Sequence, residues 1–191
     1  MLADLVAAAA AARARGGGGA DEAAAAAPEA IAAAAAAPVV HGFDTFEGLP
    51  EAWGDEPAGP ATQGGAMPAR LPRNTRLHVG LFADTLGPFL ASPAGGAGAG
   101  GDGAPLALAH VDCDLYSSTR DALIALAPRV VVGSVLVFDE YLGHATWRDD
   151  EAKAWLEACA ARGWAWETLA VSLATKQLAV RVTSIGGAPA N

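Results

Sequence analysis

The stretch LALAHVDCDLYSSTRDALIALAPRVVVGSVLVFDE, residues 106–140, decides the fold class of this chain. Two apolar runs, Pro105–Val111 and Val130–Phe138, are each followed at once by acidic side chains. Between them, Ser117–Ala127 has the apolar spacing of a helix. Continuously apolar strands that alternate with helices are typical of a parallel sheet covered on both faces. The stretch therefore predicts a strand–helix–strand unit of an α/β protein.

The same alternation continues on both sides of this unit. The other predicted strands are Val39–Phe43, Thr75–Val79, Trp164–Val171 and Gln177–Val182. The last two are separated only by a tight turn, so we expect them to form an antiparallel hairpin. Two further helices are predicted at Ala83–Ala91 and Asp149–Arg162, and Thr45–Trp53 is interpreted as a turn with one helical turn. On the second helix, Trp155, Leu156 and Cys159 are predicted to share one buried face.

Composition divides the chain into one domain and three segments without a core. Residues 1–37 are a low-complexity run of alanine and glycine, which we expect to be helical or disordered because alanine offers little area to bury. Residues 38–183 are predicted to form the folded domain. Within it, residues 92–104 are predicted to be a flexible insertion, and residues 184–191 a tail.

Charge and cysteine content exclude several classes of protein. The 191 residues include 12 basic and 21 acidic side chains, a net charge of −9, and no basic run. A nucleic-acid partner or a polybasic membrane contact is therefore not expected. Two cysteines, Cys113 and Cys159, are too few for a disulfide framework. No membrane span is predicted, and we expect a cytoplasmic protein, with an organelle transit peptide and a homo-oligomer left open.

Acidic side chains follow three of the predicted strands. Asp44 follows the first, Asp112 and Asp114 follow the strand at 105–111, and Asp139 and Glu140 follow the next. In an open parallel sheet these carboxylates converge at the carboxyl ends of the strands, where ligands bind. Their mutual repulsion is relieved most simply by a divalent cation such as Mg²⁺. Asp114 has the alternative role of orienting a ligand or bonding to the backbone.

Two histidines lie near these acids in the sequence. His110 is interpreted as a packed residue of its strand, and His144 as a candidate for contact with substrate. Cys113 lies beside the acids, but no activating partner is evident, so nucleophilic catalysis by its thiol is not expected.

Four segments carry a resemblance to a known family. They are HGFDTFEGLPEAW (41–53), NTRLHVGLFADTLGPFL (74–90), HVDCDLYSSTRDAL (110–123) and VLVFDEYLGH (135–144). In this order they resemble the macrocin O-methyltransferase family, which consists of class I enzymes dependent on S-adenosylmethionine. The resemblance covers residues 38–182 and implies a Rossmann-like class I methyltransferase sheet that ends in an antiparallel hairpin.

The resemblance also implies roles for particular residues. It places the cofactor ribose at Asp44 and the adenine near Gly80, Leu81 and Phe82. It implies a Mg²⁺ site held by Asp112, Asp139 and Glu140. Many relatives have Asp-Asp where this chain has Asp139-Glu140.

One part of the family pattern is not matched. Class I methyltransferases open with an apolar strand and an acidic, glycine-rich turn that holds the methionine part of the cofactor. Gly16–Gly19 and Asp21-Glu22 lie at a suitable distance, but Ala7–Arg15 contains no branched apolar residue and has high helix propensity. The first strand is therefore predicted to be degenerate or missing.

Three functions follow as hypotheses. The first is an O-methyltransferase acting on a hydroxyl of a small molecule such as a sugar diol, with Asp112 as the proton acceptor. The second is a metal-dependent glycosyltransferase, in which Asp112 and Asp114 of a D-x-D motif hold a metal against a nucleotide diphosphate. The third is a truncated or inactive remnant of a methyltransferase.

Overall fold

The structure is a computed structural model that describes residues 39–55, 57–59, 67–92 and 105–186. The alanine-rich segment, most of the insertion at 92–104 and the end of the tail lie outside the described residues. The prediction that the first strand is degenerate or missing concerns residues 7–19, which lie outside the described residues as well.

Six strands and three helices make up the described chain. The strands are β1 (Val40–Asp44), β2 (Thr75–Val79), β3 (Leu108–Val111), β4 (Val135–Phe138), β5 (Ala165–Val171) and β6 (Leu178–Ser184). The helices are α1 (Phe82–Leu90), α2 (Tyr116–Leu126) and α3 (Glu151–Arg162), and a 3₁₀ turn, Ala127–Arg129, follows α2. No helix of the described chain is long and apolar enough to cross a membrane.

The strands form two sheets. One contains β1 and β2, and the other has the order β3-β4-β6-β5. β3 and β4 are parallel, with Val111 opposite Phe138, which confirms the predicted strand–helix–strand unit. β6 is antiparallel to both β4 and β5, which confirms the predicted hairpin. Within the described residues, no strand pairing joins the two sheets.

The chain divides into two compact units, and the described part of the smaller one is residues 39–42 and 68–77. In this unit the Val40 N–H donates to the Asn74 carbonyl at 2.8 Å. A side chain at Gly42 would bring its Cβ to 2.9 Å from Leu77 Cδ2, so the close approach of the two segments requires glycine there.

The larger unit contains the core, which lies on one face of the four-stranded sheet. Alternate residues of the central strands are fully buried, among them Leu136, Phe138 and Val180. They pack in one cluster with Leu123 of α2 and Trp155 of α3. The residues between them, such as Val135 and Val137, are only half-buried. Sequence analysis predicts cover on both faces, whereas the described residues bury one.

Several local predictions are wrong, each for a physical reason. Residues 45–53 form turns without a helix, because the side-chain oxygens of Asp44 and Thr45 accept the backbone N–H groups of Phe46 and Glu47 at 2.8 and 3.1 Å. The region Val130–Phe138, predicted as a strand with a break at Gly133-Ser134, is a strand only from Val135 onward, and Gly133 has a φ of 94°. Leu156 is 52% exposed and does not share the buried face of Trp155 and Cys159.

Candidate functional site

A cavity of about 640 Å³ lies in the larger unit, where β1, β2 and β3 end. Asp44 is the last residue of β1, Gly80 follows β2, and Asp112 follows β3. All three line the cavity. This is the position at which an open α/β sheet binds its ligands.

The cavity brings together most of the residues that sequence analysis assigned to the site. Its lining includes Asp44, Gly80, Leu81, Phe82 and Asp112. Asp139 and Glu140 follow β4 but do not line the cavity. The proposed cofactor residues thus share one cavity with the proposed proton acceptor, and two of the three proposed metal ligands lie outside it.

The junction of Asp44 and Gly80 is fixed by backbone geometry. The Gly80 N–H donates to the Asp44 carbonyl at 3.0 Å, which ties together the ends of β1 and β2. Gly80 has a φ of 141°, which side chains rarely adopt, and an added Cβ would lie 3.0 Å from Thr85 Cγ2. Glycine is therefore required at this wall of the cavity.

A buried carboxylate supports the segments that follow β3 and β4. Glu151, the first residue of α3, is fully buried. Its Oε1 accepts the Cys113 N–H at 3.0 Å and its Oε2 accepts the Glu140 N–H at 3.2 Å. Burial raises the pKa of Glu151 to about 8, and the two backbone donors oppose that rise. Sequence analysis missed this residue because nothing in its local pattern shows that the side chain turns inward.

The carboxylates at the strand ends influence one another, as their predicted convergence requires. Burial and then the charge of Asp139 raise the pKa of Asp112, and Glu140 and Asp44 add to the effect. Burial and then the charge of Asp112 raise the pKa of Asp114 to about 6. Asp114 lines the cavity and has a φ of 56°.

The predicted magnesium ligands are not assembled as a metal-binding group. In the part of the chain that the structure describes, no three His, Cys, Asp or Glu side chains are placed to hold a metal ion. Asp139 Oδ1 instead accepts the Gln177 amide and lies 3.4 Å from His110 Nε2. Glu140 Oε2 lies 3.1 Å from Lys176 Nζ. The arrangement shown does not fit the predicted Mg²⁺ site.

The structure places His110 and His144 differently from their predictions. His110 is not a packed strand residue: its side chain is partly exposed beside Asp139. His144 does not line the cavity, and its Nε2 lies 2.9 Å from the Glu140 carbonyl.

The lining of the cavity is more acidic than sequence analysis predicts. Besides Asp44, Asp112 and Asp114, it includes Glu51 and Asp121, and none of its lining residues is Lys, Arg or His. The spacing of Ser117, Ser118 and Asp121 on a helix is the signal that could have revealed this second wall. Glu51 carries no such signal, because its place depends on a turn and on a hydrogen bond from Ser117 Oγ.

A further wall comes from the turn segment after β1. The Trp53 indole N–H donates to Asp150 Oδ2 at 3.2 Å, and the Trp53 ring meets His144 edge-on at 5.2 Å. Thr146 Oγ1 donates to the same Asp150 oxygen at 2.6 Å. These contacts hold Trp53, which lines the cavity, against the segment before α3.

The fold and the cavity define an α/β protein with an acidic cavity at the ends of its strands. A family model described as "Methyltransferase domain" matches residues 19–141, which is more than half of the chain. The chain belongs to this family. No curated protein matches it.

Two solved structures resemble the described fold. The calicheamicin methyltransferase CalS11 has a TM-score of 0.55 and 21% identity, over 76% of this chain and 60% of that one. The O-methyltransferase NovP has a TM-score of 0.53 and 23% identity, over 81% of this chain and 64% of that one. The chain thus spans less than two thirds of either, and at these identities the likeness concerns the fold.

Proposed function

We propose that this protein is an O-methyltransferase that uses S-adenosylmethionine and acts on a hydroxyl of a small molecule. The observation that carries the proposal is the acidic cavity at the strand ends of a chain that belongs to a methyltransferase family. That family membership favours methyl transfer over the glycosyltransferase alternative. NovP is named an O-methyltransferase, and the acidic cavity of this chain suits the same acceptor chemistry.

The cavity residues suit a cofactor with a ribose and a positive charge. Asp44 would accept hydrogen bonds from ribose hydroxyls, and the segment Gly80–Phe82 would flank the adenine. The acidic lining favours a cationic ligand over a neutral one. When bound, S-adenosylmethionine supplies a methyl group on a sulfonium, which an oxygen nucleophile can attack.

Two carboxylates of the cavity are candidates for accepting the proton of the acceptor hydroxyl. Asp112 is the candidate from the sequence, and the structure adds Asp114, whose pKa is raised by burial to about 6. A base is most effective when its pKa lies near the working pH, and such a base contributes roughly 10²–10⁴-fold to the rate. We assign the proton to Asp114 and keep Asp112 as the alternative.

The sugar diol acceptor and the macrocin-type specificity remain part of the proposal. A diol could be held by two neighbouring carboxylates, and Asp112 and Asp114 offer such a pair on one wall. The magnesium requirement stays a sequence-based prediction, because the described carboxylates are not arranged to hold a metal ion.

Calorimetric titration with S-adenosylmethionine, with and without Mg²⁺, is the first test. We expect micromolar binding to the wild type, about tenfold weaker binding to D44N, and no change in D149N, an exposed aspartate outside the cavity. A methyl-transfer assay with sugars and phenols then identifies the acceptor. No binding by a folded sample would support the truncated or inactive alternative instead.

A further inference from the structure

The side chains that meet the acidic pair after β4 come from the turn between β5 and β6. Lys176 Nζ lies 3.1 Å from Glu140 Oε2, and the Gln177 amide donates to Asp139 Oδ1. Two of the three proposed metal ligands therefore each have an oxygen engaged by this turn. The turn is remote in sequence from both acids, so the contact arises only when the hairpin pairs with β4.

The backbone holds Lys176 at this place. The Leu142 N–H donates to the Lys176 carbonyl at 3.2 Å, which joins the turn to the segment that follows Glu140. Lys176 has a φ of 63°, a left-handed conformation that costs a non-glycine residue about 1–2 kcal/mol. The lysine is thus fixed at both its backbone and its charged end.

The buried carboxylate oxygen of Glu140 requires a positive charge nearby. Glu140 Oε2 is buried and accepts no hydrogen bond in the described structure. The Lys176 ammonium, 3.1 Å away, is the positive charge that compensates it. Asp139 and Glu140 both act electrostatically on Asp112. An ammonium here relieves the repulsion that led sequence analysis to a divalent cation.

We propose that Lys176 supplies the positive charge at the end of β4 that a divalent metal ion would otherwise supply, so that the site works without metal. Lys176 acts as a positioning residue: it holds Glu140, and Gln177 holds Asp139. The inference rests on the proposed function only in the role it gives this positive charge, which is to support methyl transfer. Whether a metal binds is a property of the side chains and can be measured without methyl transfer.

Titration of the full chain with Mg²⁺ by calorimetry tests the proposal. We expect no saturable binding by the wild type at millimolar Mg²⁺. K176Q removes the ammonium and frees Glu140, and it should bind Mg²⁺ at least about tenfold more tightly. K176R retains a positive charge and should behave as the wild type. K153Q makes the same charge change on α3, where Lys153 lies over the Tyr116 ring, and should gain nothing.

Two results would overturn the proposal. One is saturable Mg²⁺ binding by the wild type, which needs no variant to fold. The other is a folded K176Q, judged by circular dichroism, that binds Mg²⁺ no better than K153Q. Where methyl transfer is measurable, removal of divalent ions by a chelator should leave the wild-type rate unchanged. Absence of methyl transfer would contradict the proposed function alone, since the binding titration stands independently.

Discussion

Asp114 combines a left-handed backbone conformation with a raised pKa at the wall of the cavity. The second acid of the D-x-D motif has a φ of 56°, and the residue lines the cavity together with Asp112. The two carboxyls repel each other, and that repulsion adds to burial in raising the pKa of Asp114. The two acids of the motif, separated by Cys113, are thus electrostatically linked.

The first prediction concerns the pH dependence of methyl transfer. A base acts when deprotonated, so we expect kcat to rise as pH rises through about 6, the pKa of Asp114. D114N should lower kcat at least about 10²-fold and abolish the rise of kcat with pH. D112N removes a charge that raises the Asp114 pKa, so in this variant the rise of kcat should occur at lower pH. If kcat of D114N still rises with pH through about 6, another group accepts the proton.

The second prediction concerns Gly80. G80A places a methyl group 3.0 Å from Thr85 Cγ2 at a φ of 141°, so we expect about 1–3 kcal/mol of lost stability and weaker binding of S-adenosylmethionine. The matched control is G87A in α1, where a Cβ meets no atom within 4 Å and helix propensity improves by up to about 1 kcal/mol. Urea unfolding and calorimetry measure both quantities. Equal effects of the two variants would argue against the strain at Gly80.

At the scale of elements, Glu151 links a helix to two strand ends. Because it accepts the N–H groups of Cys113 and Glu140, α3 is tied to the segments that follow β3 and β4. The acids of those segments therefore depend on a side chain that does not itself line the cavity.

The third prediction is that E151A destabilises the protein by about 1–3 kcal/mol or more, since removal of the side chain leaves the N–H groups of Cys113 and Glu140 without their acceptor, whatever the protonation state of Glu151. E157A is the control, because Glu157 accepts an exposed hydrogen bond from Tyr116. Urea unfolding measures both. A loss in E157A as large as that in E151A would contradict the linking role.

The same residue gives a pH dependence of stability. Burial raises the pKa of Glu151 in the folded state to about 8, above its ordinary value of 4.5, so the folded state binds more protons than the unfolded state between these values. The contribution is present below about pH 4.5 and is lost as pH rises through about 8. E151Q should flatten this slope.

The fourth prediction concerns the contact between the turn after β1 and the segment before α3. W53F keeps an aromatic ring beside His144 but loses the N–H donation to Asp150. We expect KM for the acceptor to rise several-fold with little change in kcat, because an anchored cavity wall is loosened. W147F, whose ring stacks with Arg148 outside the cavity, is the control. An unchanged KM in W53F would exclude Trp53 from the acceptor site.

At the scale of the whole molecule, the main feature is an excess of negative charge. The net charge of −9 and the five carboxylates of the cavity create a negative potential where the ligand enters. S-adenosylmethionine carries a sulfonium charge that S-adenosylhomocysteine lacks. In the proposed reaction, this potential would favour the cationic substrate over the neutral product before any specific contact is made.

The fifth prediction follows from this potential. Raising the salt concentration from low to about 0.5 M should weaken binding of S-adenosylmethionine about threefold or more, because the Debye length falls below 10 Å. S-adenosylhomocysteine should be much less sensitive. Calorimetry with both ligands over a salt series measures the difference. Equal salt dependence would show that the carboxylates do not sense the sulfonium.

The sequence predicted the order of elements well, because apolar runs and helix spacing are local patterns. Eight of the nine predicted strands and helices lie within about three residues of their observed bounds, and the ninth, Val130–Phe138, is a strand only from Val135. The turn at 45–53 was missed, since its side chains replace the hydrogen bonds of a helix. The cavity residues Asp44 and Asp112 were predictable from their places directly after apolar strands, whereas Gly80 was assigned to the cofactor only by the family resemblance.

By itself the sequence determined the α/β class, the methyltransferase resemblance and the convergence of acids after the strands, because strand periodicity and strand ends are encoded locally. Only the tertiary structure decided which partners those acids have. Glu151 turns inward from α3, and Lys176 and Gln177 reach Asp139 and Glu140 when the hairpin pairs with β4. These contacts join residues far apart in the chain, and side-chain direction at such distances depends on packing that no local pattern records.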